Sequence, residues 1–226
     1  MNYRLQMALK RLLDIFASCL LLLILSPVFL LVALLIWLTM GPPVLFRQPR
    51  IGHRGRVFTI YKFRTMTDER DEQGNPLPDE QRLTRLGRFL RSTTLDELPE
   101  LFNVLKGDMS LVGPRPLLVE YRDLYTPEQW RRHEMPPGMA GPVLASGRNI
   151  LSWEEKFALD AWYVEHWSLW LDFKILLRTA WQVLKREGVS AEGYATMPPF
   201  TGLQSHGDTA EASTKAEVMM SEGDDR

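Results

Sequence analysis

The sequence predicts an α+β, mainly α protein that is monotopic, held on one side of a membrane by a re-entrant helix-break-helix hairpin. Three observations predict it. Residues 12–40, LLDIFASCLLLLILSPVFLLVALLIWLTM, form one apolar stretch with Ser26-Pro27 near its middle. Basic residues stand outside both ends of that stretch. Downstream, two short strand patterns are followed by amphipathic helical ones.

In the apolar stretch, Pro27 has no N–H to donate and clashes with the preceding turn, so it breaks the helix there. The Ser26 hydroxyl is placed to bond a backbone carbonyl left without its partner. Each half, residues 12–25 and 28–40, would be roughly 20 Å long, too short for a hydrocarbon core of about 30 Å. Arg4, Lys10 and Arg11 lie upstream and Arg47, Arg50, Arg54, Arg56, Lys62 and Arg64 downstream, with no acid between Asp14 and Asp68. Cytoplasmic flanks collect Lys and Arg, so both ends are expected on the cytoplasmic side. A signal-anchor helix with a proline kink fits the hydropathy alone equally well. Residues 1–41 are therefore expected to form the membrane element with its basic flank, residues 42–202 a catalytic domain, and residues 203–226 an acidic, disordered tail.

After Pro42-Pro43, VLFRQPRIGHRGRVFTIYKF reads as a β-hairpin around an Ile-Gly-His-Arg-Gly turn, because Val57, Phe58, Thr59, Ile60, Tyr61 and Phe63 favour strands. Residues 68–81 are polar, with Gly74, Pro76 and Pro78, and read as a solvated loop. In LTRLGRFLR, Leu83, Leu86, Phe89 and Leu90 share one helical face and Arg82, Arg85, Arg88 and Arg91 another. The pattern fits a helix lying in the membrane interface, or equally one packed on a core. Helices are expected at 95–106 and at 116–135, the latter interrupted where Thr126 caps a new start at Pro127. Two aromatic-rich helices follow at 152–166 and 168–187.

The formal net charge is −1, but the last twenty-six residues carry six acids against two bases, leaving the first two hundred at +3. A mildly basic body beside an apolar segment suits anionic head groups and phosphate-bearing ligands. No nucleic-acid motif is visible, and nucleic acid is not expected as a partner. One cysteine, Cys19, excludes an intramolecular disulfide framework. The four histidines lack zinc-ligand spacing, and there is no P-loop and no GxGxxG.

The sharpest chemical candidate is Thr94-Leu95-Asp96-Glu97-Leu98-Pro99. Thr94 and Glu97 have capping-box spacing, which would set Asp96 and Glu97 in a helix's first turn. The helix dipole alone favours acids there. Alternatively, two adjacent carboxylates divide the work, one as nucleophile or base and the other as metal ligand or proton carrier. In Gly107-Asp108-Met109-Ser110-Leu111-Val112-Gly113-Pro114-Arg115-Pro116, Arg115 offers a planar fork for phosphate oxygens, or is a surface arginine after a turn. Lys62, Arg64 and Arg91 either add positive charge near a diphosphate or snorkel at the interface.

Together these elements resemble the small monotopic phosphoglycosyl transferases, the PglC-like bacterial sugar transferases, from about Lys10 to about Gly202. The carriers are KRLLDIFAS leading to Ser26-Pro27, FRQPRIGHRGRVFTIYKFRTM, LRSTTLDELPELFNVLKGDMSLVGPRP and GRNILSWEEKFALDAWYVEHWSLWLDFKIL. The resemblance implies transfer of a sugar-1-phosphate from a UDP-sugar to undecaprenyl phosphate at the lipid bilayer, releasing UMP and starting a glycan. It implies Asp96 as nucleophile and Asp96 and Glu97 as Mg²⁺ ligands. Lys62, Arg91 and Arg115 would hold phosphate, and Arg148 and Asn149 belong to a possible nucleotide-sugar loop. A UDP-N-acetylated hexosamine is the donor it favours. One passage departs: where such proteins read close to PGITGWAQVNGRN, residues 137–149 read PGMAGPVLASGRN, which bears on that loop and not on the acidic pair. The competing readings are a catalytically silent adaptor that binds anionic lipid, and direct transfer in a ternary complex.

Overall fold

The computed structural model describes residues 2–146, 151–185 and 200–202. The apolar stretch forms two helices, α1 (Tyr3–Ile24) and α2 (Ser26–Met40), bent by 63°. Pro27 stands in the first turn of α2, where a missing N–H is tolerated. Its absent donor orphans the carbonyl of Leu23, four residues back, and Ser26 Oγ donates to that oxygen at 2.8 Å. Among the described residues no single helix is long and apolar enough to cross a membrane, whereas the bent pair together is.

Helix α1 extends well upstream of the apolar stretch and is inside-out relative to a helix of a water-soluble core. Its buried residues are Lys10, Asp14 and Ser18, spaced four apart, while Leu12, Leu13, Phe16, Leu20 and Leu23 face outward. Lys10 is therefore not a flanking surface charge. Its ammonium lies 2.6 Å from Asp172 Oδ2 and donates to the Val112 carbonyl at 2.9 Å, and Asp172 Oδ1 accepts from Tyr163 at 2.7 Å. Asp14 accepts from the Leu111 N–H at 3.0 Å. Arg11 donates to the carbonyls of Val104 and Leu105. Basic residues read as membrane flanks thus also dock α1 onto the domain behind it.

The expected hairpin forms from β1 (Leu45–Ile51) and β2 (Val57–Phe63), antiparallel from Leu45 opposite Phe63 to Ile51 opposite Val57. The polar loop ends in a single turn, α3 (Asp79–Arg82). Helix α4 (Arg85–Ser92) is capped by Thr84, which accepts from Gly87 N–H. Leu86 and Leu90 pack with Val32, Ile36 and Phe63, so part of its apolar face meets protein, while Phe89 stays exposed. A Cβ on Gly87 would lie 1.9 Å from the Thr65 carbonyl, which explains the glycine at this close crossing.

Helix α5 (Glu100–Lys106) is shorter than the expected 95–106, because residues 95–97 form a separate 3₁₀ turn. Buried Asn103 bridges α5 to the hairpin: its Nδ2 donates to Thr59 O at 2.7 Å and its Oδ1 accepts from Tyr61 N–H at 3.1 Å. Strand β3 (Ser110–Val112) then pairs in parallel with β4 (Gly138–Ala140), a sheet not read from the sequence. Both strands are three residues long and glycine-rich at their edges, too short for a period-two pattern. The glycines permit close approach, since a Cβ on Gly138 would meet Gly113 N at 2.0 Å.

The expected helix over 116–135 is instead a set of short turns, namely a 3₁₀ segment at Val119–Leu124, α6 (Pro127–Trp130) and a 3₁₀ segment at Arg131–Glu134. The expected cap at Thr126 is present, reciprocated by Gln129. After α7 (Pro142–Ala145), α8 (Trp153–His166) and α9 (Leu169–Lys185) match the two aromatic-rich helices. Their buried Leu159, Tyr163 and Ile175 form the main core with Val112, Met135 and Ala140. The tail assigned to residues 203–226 lies outside the described residues.

Candidate active site

Four elements deliver charged side chains to one place. Strand β2 supplies Lys62, the turn after α4 supplies Asp96 and Glu97, α5 supplies Glu100, and the segment leaving β3 supplies Arg115. The predicted capping box does not form. Thr94 adopts a left-handed conformation (φ 60°) and makes no side-chain cap, so Asp96 and Glu97 occupy a tight 3₁₀ turn ahead of α5. Such a backbone costs a non-glycine residue roughly 1–2 kcal/mol, and here it frees both carboxylates from capping duty.

Glu97 organises the cluster. Its Oε1 accepts from Lys62 Nζ at 2.7 Å and from Arg115 Nη2 at 2.5 Å. Lys62 Nζ also lies 3.1 Å from Glu100 Oε1, an ion-pair distance whose angle makes no hydrogen bond. Glu97 and Glu100 are buried, whereas the Arg115 side chain is 47% exposed and open to an incoming ligand. Arg91 stands one step back, where its Nε donates to Thr65 Oγ1 at 3.1 Å.

The two adjacent carboxylates are driven apart in acidity. Burial pushes Asp96 up to about 6 and the Glu97 charge adds to the rise, against the pull of Lys62, Arg91 and Arg115. Burial also opposes ionisation of Glu97, but Arg115 and Lys62, by charge and hydrogen bond, hold it well below the usual carboxylate range. Glu97 is thus a fixed anion and Asp96 the more basic, more nucleophilic partner. Burial likewise pushes Glu100 up to about 7.

The structure therefore gathers Asp96, Glu97, Lys62 and Arg115 as anticipated and keeps Arg91 within electrostatic range. Ser26 and Pro27 sit at the helix break, and Phe29 just beyond it packs on Phe63, the neighbour of Lys62. Arg148 and Asn149 lie outside the described residues. Sequence reading missed Glu100, although three acids within five residues of LDELPE were a signal. It also treated Arg50 only as a flank charge. Burial and the neighbouring Arg115 lower the Arg50 guanidinium to about 10, which places this second arginine behind the first.

No set of three or more His, Cys, Asp or Glu side chains among the described residues is arranged to hold a metal ion. Of the two adjacent carboxylates, Glu97 Oε1 is already taken by Lys62 and Arg115, whereas the Asp96 side chain accepts no hydrogen bond from the described residues, and a hard cation such as Mg²⁺ needs only one or two carboxylates.

Basic side chains thus surround the adjacent carboxylates Asp96 and Glu97. The chain belongs to the bacterial sugar transferase family, whose sequence profile matches residues 5–186. Over 196 residues it is 54% identical to the uncharacterized sugar transferase EpsL of Bacillus subtilis, covering 87% of this chain and 97% of that protein. It is 40% identical over 200 residues to the undecaprenyl-phosphate galactose phosphotransferase of Salmonella typhimurium, covering 80% of this chain but 41% of that protein. It is 42% identical over 180 residues to the UDP-glucose:undecaprenyl-phosphate glucose-1-phosphate transferase of Caulobacter vibrioides, covering 75% and 67%.

Proposed function

We propose that this protein is an undecaprenyl-phosphate sugar phosphotransferase. In this reading it moves a sugar-1-phosphate from a UDP-sugar to undecaprenyl phosphate at the cytoplasmic face of the membrane. The observation that carries the reading is Asp96, basic for a carboxylate and set beside Lys62, Arg91 and Arg115, in a family whose members include transferases named for these substrates. The outward apolar surface of α1 and α2, with polar Lys10, Asp14 and Ser18 turned inward, supports embedding from one side and access to a lipid phosphate.

The chemistry divides into two displacements. An Asp96 oxygen attacks the sugar-bearing phosphorus, the bond from that phosphorus to the bridging oxygen breaks, and UMP leaves with the electron pair. An oxygen of undecaprenyl phosphate then attacks the same phosphorus, and Asp96 departs as a carboxylate. Arg115, Lys62 and Arg91 balance charge on the phosphates, and buried Glu97 holds the first two in place by hydrogen bonds. When bound, Mg²⁺ would be held by Asp96 and Glu97 and would supply further neutralisation of the diphosphate. Using one phosphate-binding site in sequence spares the two anionic substrates from binding together.

The test is a mixture of protein, UDP-sugar and Mg²⁺ without lipid. At most one UMP per site should be released and the chain should gain the mass of a sugar phosphate. Asp96→Asn should abolish both and lower turnover at least a thousandfold, about 4 kcal/mol on the barrier. Wild-type protein that turns over yet never carries the adduct would reassign Asp96 to metal or proton handling in a ternary complex. A screen of UDP-sugars, with UDP-N-acetylated hexosamines first, identifies the donor.

A further inference from the structure

The β1–β2 hairpin has charged groups at both ends, and only one end serves the chemistry above. Lys62 marks that end. At the other, a cavity of about 270 Å³ is lined by His53, Arg54, Arg56 and Phe58 from the hairpin and by Gly107 and Asp108 from beyond α5. Val57 and Lys62 are five residues apart on one strand, so the cavity lies about 16 Å from the catalytic lysine.

The turn that builds this wall is rigid. Gly52 N–H donates to Arg56 O at 2.7 Å, Gly55 N–H to Gly52 O at 3.0 Å, and Arg56 N–H to His53 O at 3.2 Å. Three of its backbone donors are spent internally, and its charges lie on the side chains of Arg54 and Arg56. Arg54 sits in the left-handed region (φ 55°), a conformation costly for arginine, and it is exposed there. Neither the Arg54 nor the Arg56 side chain forms a hydrogen bond or ion pair with the described residues. His53 is held by the Glu134 carbonyl at 3.1 Å from its Nε2. Asp108, which also lines the cavity, accepts at Oδ2 from Asn103 Nδ2 at 3.3 Å.

We propose that this cavity is a second ligand site, which takes a phosphate ester carrying a neighbouring hydroxyl or ammonium group. Arg54 and Arg56 face the phosphate oxygens, and Asp108 accepts from the hydroxyl or ammonium. Phe58 closes the apolar side. Gly107 lies beside α1, where its Cβ would come within 3.4 Å of Arg11, next to the start of the apolar stretch. A lipid head group and a soluble phosphate ester therefore share the required chemistry, and the site is independent of the transfer reaction proposed above.

The probe is His53. Burial and the two arginine charges hold its imidazole below the ordinary value, so an anion bound beside it must move it upward. The full-length protein in phosphatidylcholine nanodiscs is titrated with glycerol 3-phosphate, and a second sample is placed in nanodiscs containing phosphatidylglycerol; histidine titration is followed by NMR. A rise at His53 but not at exposed His166 is expected. A rise with glycerol 3-phosphate assigns a soluble ester, and a rise only with phosphatidylglycerol assigns a lipid head group. Arg54→Asn combined with Arg56→Gln should weaken binding at least tenfold while leaving the melting temperature and UMP release unchanged. No selective rise in either arm would overturn the proposal. So would a rise that survives the double substitution, or one that Lys62→Met abolishes, since the ligand would then sit at the catalytic end.

Discussion

At the scale of single residues, neighbouring carboxylates acquire opposite characters from which of them receives the cations. Glu97 takes both Lys62 and Arg115, and Asp96 is left with their more distant fields. Glu100 is buried, and its Oε1 lacks a hydrogen bond although Lys62 Nζ lies 3.1 Å away. Its carboxyl is raised from an ordinary 4.5 to about 7, so between those values the folded protein keeps a proton that the unfolded chain releases. Stability from this group is therefore lost as pH rises. Glu100→Gln should flatten the fall and stabilise the protein above about pH 7 by on the order of 1 kcal/mol, the scale of an unsatisfied buried polar group. The difference should vanish near pH 4.5. Thermal denaturation across that range checks it, and a variant destabilised at every pH would assign Glu100 a purely structural hydrogen-bonding role.

At the scale of elements, two local devices place the site. The first is the α1–α2 break, where Ser26 replaces the donor that Pro27 lacks. Pro27→Ala restores the N–H and should let a straighter helix compete, exposing part of the population's N-termini outside the cell. Labelling of single cysteines near Asn2 and Arg54, with exposed Cys19→Ser as background, reads this out; labelling of either position from outside in the parent protein would sink the hairpin. The second device is the α4 crossing at Gly87. Helix propensity alone predicts that Gly87→Ala stabilises by about 1 kcal/mol. The 1.9 Å approach to the Thr65 carbonyl predicts the reverse, a loss of about 1–3 kcal/mol by overpacking, together with release of Arg91 from Thr65. The sign of the change in melting temperature decides between them.

At the scale of the whole molecule, α1 belongs to the catalytic domain as much as to the apolar hairpin. Lys10, 4% exposed, reaches Asp172 on α9 and the Val112 carbonyl on β3, three residues before Arg115. Lys10→Met strands the Asp172 charge with Tyr163 and Trp167 as its side-chain donors among the described residues. The expected cost is about 3–5 kcal/mol, and adding Asp172→Asn should recover part of it. Chemical denaturation of both variants tests this, and a loss below about 1 kcal/mol for Lys10→Met alone would mean that the pair contributes little.

The sequence by itself determined the broken apolar helix, the β-hairpin, the capped start at Thr126, and the acidic pair. Each of these rests on a local rule, such as a missing N–H, strand propensity or a reciprocal cap, that needs no distant partner. Tertiary structure alone decided the rest. The β3–β4 pair joins residues 110–112 to 138–140 through glycines that let two backbones touch, and no local period marks it. Whether Lys10 flanks a membrane or anchors a core depended on Asp172, far along the chain. Thr94 and Glu97 have capping spacing, yet a left-handed residue and two distant cations turn that spacing into a charge cluster. Charge pairing across long separations outweighs local preference there because burial removes the competing water, which no reading of neighbours in sequence can anticipate.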